Sequence, residues 1–198
     1  MKDYIVINGV TYDLVKREET ETAPRTILAD YAVGDTVKLG SHKMIVLEHV
    51  GDATLLIRKD LLVERTQFGE NNNYNGSDVD AFCNEFAQEI AGLVGEENIL
   101  LHEVDLTSDD GLKDYGMVKR KASLLTTDRY RQYVEILDKY KIDAWWWLAT
   151  AFSTPAHDPD NWVKCVSPSG CIGNDYYNSD DDGVRPFCIL KSNIFVSN

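Results

Sequence analysis

Residues 4 to 15 alternate apolar and polar side chains around Asn8-Gly9, the pair best suited to the mirror-image turn of a two-residue β-hairpin. A polar stretch from Lys16 to Thr22, rich in Glu and Thr and followed by Pro24, reads as a linker. Residues 1–30 are therefore expected to be a hairpin and linker, and residues 31–198 a separate ligand-binding domain. The hairpin serves either as a docking appendage or as an added edge of the main sheet. Short strands are predicted at Thr36 to Leu39, Met44 to Val50 and Thr54 to Arg58, separated by turns at Gly40-Ser41 and Gly51-Asp52.

The period then changes. Ser77 stands where a helix N-cap belongs, with Asp80 three residues on, and Val79, Phe82, Cys83, Phe86, Ile90 and Leu93 follow at helical spacing. A second helix starts near Thr127-Asp128, its buried face marked by Tyr130, Tyr133, Val134 and Leu137. Between them, Glu97 to Val118 has no clear period and reads as irregular. Trp145-Trp146-Trp147-Leu148 is a dense aromatic strand, with Trp145 and Trp147 on one face and Trp146 on the other. A long run rich in Ser, Asp, Asn, Pro and Gly comes next, interrupted by a short strand at Trp162-Val163, before apolar strands return at Val184 and at Ile194 to Val196. Helices early and loops late describe an α+β domain with one loop-rich C-terminal face.

Charge narrows the partners. Twenty basic residues against 33 acidic ones give a net charge of −13, which repels phosphate backbones and anionic lipid, so neither nucleic acid nor a membrane surface is the expected partner. The N-terminal apolar run is too short for a signal peptide. Synthesis in the cytoplasm is expected, with virion association or non-classical export if the protein acts outside the cell.

Cys83, Cys165, Cys171 and Cys188 are too few and too scattered for a disulfide framework. Cys83, on the apolar helix face, reads as a core residue. Cys165 and Cys171 lie six residues apart across a turn, close enough to pair, but free thiols are the preferred reading. No His or Cys spacing completes a metal site, and no cofactor or metal is expected. Asp175, Asp180, Asp181 and Asp182 offer oxygen ligands but fit no EF-hand spacing. The four histidines are spread out, and no nucleophile elbow, zincin motif or phosphate-cradling glycine loop occurs, so no catalytic residue is assigned.

Trp145 to Leu148, the Ser167-Pro168-Ser169-Gly170 turn and Gly183-Val184-Arg185-Pro186 resemble a family of gut bacteria and their phages whose members end in Trp-Trp-Leu-Arg-Ser, Ser-Asp-Gly and Gly-Val-Arg-Pro. The resemblance extends to Gly34-Asp35-Thr36-Val37, Asn73-Tyr74, Ser77-Asp78 and Leu124-Leu125-Thr126, covering roughly residues 33 to 198. It implies a C-type-lectin-like fold, as in formylglycine-generating enzymes, related to the variable proteins of diversity-generating retroelements. It also suggests a homo-oligomer, although no coiled-coil heptad is present. The chain departs from the pattern at Ala149-Thr150, where the family shows Arg-Ser, so an arginine that would anchor the loop base is missing.

Retroelement diversification of AAC-type codons cannot yield Lys, Glu, Gln, Met or Trp. Residues 1 to 147 hold 31 of these, whereas residues 148 to 182 hold only Trp162 and Lys164. Turn chemistry accounts for part of that deficit. The loop composition itself, Tyr with Asn, Ser and Asp, suits recognition. The expected ligand-binding residues are Phe152, Ser153, Thr154, His157, Asp158, Asp160 and Asn161 from the first loop. From the second they are Asn174, Asp175, Tyr176, Tyr177, Asn178, Ser179, Asp180 and Asp181, with the two tyrosines as anchors. Arg185 is expected to pair with a loop carboxylate or to cap loop carbonyls.

The function expected is non-catalytic recognition of a protein or glycan receptor, as a phage receptor-binding protein or a surface adhesin. The alternatives are a structural virion protein or, with less support, a formylglycine-generating-type oxidase.

Overall fold

The computed structural model describes residues 4–8, 10–13, 26–157 and 161–196. In chain order the strands are β1 (Tyr4–Ile7), β2 (Val10–Asp13), β3 (Thr26–Ile27), β4 (Thr36–Leu39), β5 (His42–Val50) and β6 (Ala53–Arg58), followed by helix α1 (Asp78–Val94). Next come β7 (Ile99–Leu100), β8 (His102–Asp105), β9 (Met117–Arg120), β10 (Ala122–Ser123) and helix α2 (Thr127–Leu137). The last third holds β11 (Trp145–Ala151), β12 (Trp162–Val166), β13 (Ile172–Tyr176), β14 (Asp182–Gly183), β15 (Phe187–Lys191) and β16 (Phe195–Val196). The fold is α+β, mostly sheet with two helices.

β1 and β2 pair around Asn8-Gly9 as predicted, with Ile7 opposite Val10. They form a two-stranded sheet of their own rather than an edge of the main sheet. The main sheet runs β10-β15-β6-β5-β4, and β7 also pairs with β15. A second sheet runs β13-β12-β11-β14, its last pair parallel. β16 closes on β3, so the start and end of the body are hydrogen-bonded together. Among the described residues no helix is long and apolar enough to cross a membrane.

Met44 to Leu47 is a continuous apolar run because β5 is covered on both faces. Met44 and Val46 meet Leu56, Cys188, and Phe86 and Ile90 of α1. Ile45 and Leu47 meet Leu55, Ile57, and Tyr130, Tyr133 and Leu137 of α2. That second cluster also takes Trp146, Leu148 and Val166, which join the second sheet to the first. On the other face of β11, Trp147 and Ala149 pack with Phe68, Tyr74, Val79, Cys83, Val163 and Cys165. Both faces of the aromatic strand are therefore core, and only Trp145, 41% exposed, reaches solvent.

Helix α1 begins as its sequence indicates: Ser77 Oγ accepts from the Asp80 N–H. The reciprocal bond goes to the Gly76 N–H, one residue earlier than a capping box places it. Asp80 is itself buried and ion-paired with Arg120, whereas Leu93, expected in the core, lies exposed over Gly40. The stretch expected to be irregular, 97 to 118, contains β7 and the β8–β9 hairpin, joined from His102–Arg120 to Asp105–Met117. Its polar faces hide the alternation, since only His102 and Val104 of β8 point inward.

Among the described residues Arg185 takes no carboxylate partner. It is 1% exposed and lies over the Trp146 ring at 5.2 Å. Its Nε donates to the Arg58 carbonyl (2.9 Å), and Nη2 donates to those of Lys59 (3.2 Å) and Tyr140 (3.3 Å). Burial pushes the guanidinium down to about 10, which leaves it charged at neutral pH. The rigid fork of donors thus ties the end of β6 to the turn after α2, a geometry a lysine cannot reproduce. Arg185→Ala is expected to lower the unfolding free energy by about 3 kcal/mol or more, with Arg185→Lys recovering little, as measured by urea denaturation.

Candidate functional site

The loop-rich face is built on buried polar side chains that fasten chain segments far apart in sequence. Asn72, 1% exposed, is the main fastener. Its Nδ2 donates to the carbonyls of Ser153 (2.9 Å) and Trp162 (3.2 Å), the two ends of the 152–161 loop. Its Oδ1 accepts from the Tyr115 hydroxyl at 2.6 Å, bringing in the 106–116 loop. This amide supplies the anchoring of the loop base for which the resemblance led one to expect an arginine. At the departing positions, Ala149 donates its N–H to the Leu125 carbonyl at 2.9 Å, and Thr150 Oγ1 accepts from the Thr127 N–H at 2.9 Å. Thr150 thereby satisfies one of the free donors at the start of α2.

The 106–116 loop brings three aspartates to the same region. Asp110 accepts from Ser108 Oγ (2.5 Å) and Ser153 Oγ (2.7 Å) and lies 3.2 Å from His157 Nδ1. The Ser108 bond is the largest cause holding its carboxyl down to about 2, with Ser153 and His157 adding to it. Asp114 accepts from Thr154 Oγ1 at 2.5 Å. Asp109 pairs with Lys164 at 3.2 Å, and the Lys164 ammonium lies 5.6 Å from the centre of the half-buried Phe152 ring.

Of the residues expected to bind ligand, Ser153 and Thr154 are buried, and their hydroxyls hold the loop to Asp110 and Asp114. They belong beneath the face. His157 is exposed, and Asp158 and Asp160 lie outside the described residues. Asn161 is half-buried in the left-handed region (φ 55°), which asparagine tolerates, and its carbonyl accepts the Tyr177 N–H at 3.3 Å.

The second segment is less of a loop than its composition indicates. Asn174, Asp175 and Tyr176 belong to β13, paired with Lys164, Val163 and Trp162. Tyr176 is 39% exposed, and its ring centre lies 4.0 Å from that of Trp162. Tyr177 turns inward and packs half-buried against the cluster of Phe68, Tyr74 and Trp147. The adjacent tyrosines therefore differ, one displayed at the end of β13 and one structural in the turn that follows it.

Beyond β13 the chain crosses back to β14 along the 62–68 segment. The Phe68 N–H donates to the Tyr177 carbonyl (2.8 Å) and the Thr66 N–H to that of Asp182 (2.9 Å). Arg65 Nε donates to the Asp180 carbonyl at 3.2 Å, and its guanidinium pairs with Asp181. Ser179 is half-buried, its N–H closing a turn on the Tyr176 carbonyl at 2.9 Å, while Asn174, Asn178, Asp180 and Asp181 are exposed. Gly183 is required, since a Cβ there would sit 2.8 Å from the Val63 carbonyl oxygen and 2.5 Å from Leu61 Cδ1.

All four cysteines are free. Burial pushes the thiols of Cys83 and Cys188 up to about 12 and raises that of Cys165, so none of the three is a ready nucleophile; Cys171 is exposed. Among the described residues no group of three or more His, Cys, Asp or Glu side chains is placed to hold a metal ion. What the arrangement offers is a fixed surface of amides, carboxylates and one displayed aromatic ring. Comparison with protein-family models, with characterised proteins and with solved structures finds no match.

Sequence reading missed Asn72, Asp110, Asp114, Tyr115 and Arg65. The Asn71-Asn72-Asn73 run and the Asp109-Asp110-Gly111 turn were local signals for Asn72 and Asp110. Asn72→Ala leaves the buried Ser153 carbonyl and the Tyr115 hydroxyl without their amide partner, and removes one of the two donors to the Trp162 carbonyl. It is expected to cost about 2 kcal/mol and to make the 152–161 loop markedly more sensitive to limited proteolysis, while the main sheet keeps its hydrogen-exchange protection.

Proposed function

We propose that this chain is a non-catalytic recognition domain of C-type-lectin-like build, which binds a protein or glycan on a target surface through residues 152–161 and 172–181. The observation that carries the reading is the display of Tyr176: an aromatic ring held on a paired strand, packed at a tilt against Trp162 and exposed among Asn174, Asn178, Asp180 and Asp181. A rigid tyrosine gives contact area at little conformational cost, and the surrounding amides and carboxylates adapt their hydrogen bonds. Fastening of the loop roots by Asn72, Asp110 and Asp114 supports the same reading, because a preorganised face loses less entropy on binding.

Two helices ahead of a loop-bearing sheet, with the first and last strands of the body paired, are in keeping with the C-type-lectin-like part of this reading. The acidic rim favours a target with basic character. An oxidase of the formylglycine-generating type finds no support in the buried, proton-holding thiols.

A glycan panel and whole bacterial cells are the first probes. Tyr176→Ala is expected to weaken any binding found by about tenfold or more, roughly 1.4 kcal/mol, with the melting temperature nearly unchanged. Binding that survives both Tyr176→Ala and Asn174→Ala would move the recognition surface elsewhere. In the genome, a near-copy of codons 148 to 182 differing only at adenines, beside a reverse-transcriptase gene, would mark the face as diversified.

A further inference from the structure

We propose that the buried Asp182 carboxyl, set beside Asp175, is a proton-operated latch, which holds the 177–181 loop closed over the second sheet and releases it when Asp182 loses its proton.

Asp182 opens β14, where the loop ends, and its side chain is buried at 1% exposure. Neither carboxyl oxygen has a hydrogen-bonding N–H or cation among the described residues. What faces the group is the carboxyl of Asp175 on β13 and the thiol of Cys165 on β12. The apolar walls are the indoles of β11: Trp147 pairs with Cys165 across the strands, and Trp145 lies against Gly173. From the covering segment, Arg65 turns outward to the exposed Asp181 and the Asp180 carbonyl, and Glu64 brings its main-chain oxygen against Gly183. The Lys164 ammonium lies with Asp109 and the Phe152 ring, away from this cluster.

An uncompensated carboxylate in such a place is strongly disfavoured, so Asp182 holds its proton. Burial pushes Asp182 up to about 7, with the Asp175 carboxyl adding to the rise. The sign follows from linkage. The closed loop binds the proton more tightly than the open one, so this contribution to closure is full in acid and is lost as pH rises through about 7. Above that, Asp182 carries a buried, uncompensated charge beneath a strap held to its neighbours by three main-chain bonds and Arg65, and the strap is the part that can move.

Cys165 lies fully buried beside Asp182 and reports on opening. In a Cys171→Ser background, thiol labelling is followed at pH 6 and pH 8.5 and assigned by peptide mass mapping. Asp182→Asn serves as the reference that cancels the intrinsic pH dependence of the thiol. Labelling of Cys165 relative to that reference is expected to rise about tenfold between the two pH values, the limit for a carboxyl moving from about 7 closed to 3.8 open.

Identical pH dependence in the two proteins overturns the latch. So does an equal gain of labelling at Cys83 and Cys188, which marks opening of the whole molecule. If Asp182→Asn fails to fold, Asp175→Asn carries the comparison with the same expected direction. The readout needs no ligand, so it stands or falls separately from the recognition reading.

Discussion

Arg185 brings a positive charge into the interior where no carboxylate meets it, and the molecule accommodates that charge with main-chain carbonyls and the face of Trp146. The consequence is architectural. The carbonyls belong to the end of β6 and to the turn after α2, while Trp146 belongs to the second sheet, so one side chain fixes the relative positions of three parts. Leaving those carbonyls without a donor in a dry interior would cost more than a single hydrogen bond contributes, which makes the junction hard to rearrange piecemeal. The second sheet that carries the candidate face is thereby held in a single orientation.

On that base the face is organised by the same device at smaller scale. Asn72 donates to carbonyls of the 152–161 loop, Asp110 and Asp114 accept from its hydroxyls, and Arg65 and Thr66 hold the 177–181 strap from the other side. Polar groups that sequence reading assigned to a ligand, Ser153 and Thr154 above all, are spent on this scaffolding. What remains outside is a smaller set centred on Tyr176. Among the described residues Asp182 is an exception to polar satisfaction, as are His102 Nδ1 and Thr127 Oγ1: both of its carboxyl oxygens are buried without a partner, at the end of the strap.

Local sequence was a good guide wherever a period or a cap decided the outcome. The Asn8-Gly9 hairpin, strands β4 to β6, the Ser77 cap of α1, the start of α2 and the strand at Trp145 were all legible, because turn chemistry, capping and side-chain alternation act over a few residues. The β8–β9 hairpin was not legible, since its exposed positions are charged and only His102 and Val104 mark a buried face. β13 was read as loop because Gly-Asn-Asp-Tyr is turn-like in composition, and only pairing with β12 makes it a strand. Tyr176 and Tyr177 are indistinguishable by type, and the end of β13 between them, invisible in the sequence, leaves one displayed and turns the other in.

The amino-acid sequence by itself determined an acidic α+β chain with a hairpin at its start, two amphipathic helices and a loop-rich last third. These follow from charge, period and turn residues, each of which is a short-range property. Tertiary structure alone decided which polar residues are displayed and which are consumed. Asn72 reaches Ser153 and Trp162, Arg185 reaches Arg58 and Tyr140, and Asp182 meets Asp175 with no cation between them. Whether a hydroxyl, amide or carboxyl faces solvent or a buried partner depends on groups up to a hundred or more residues away, and no local pattern encodes that choice.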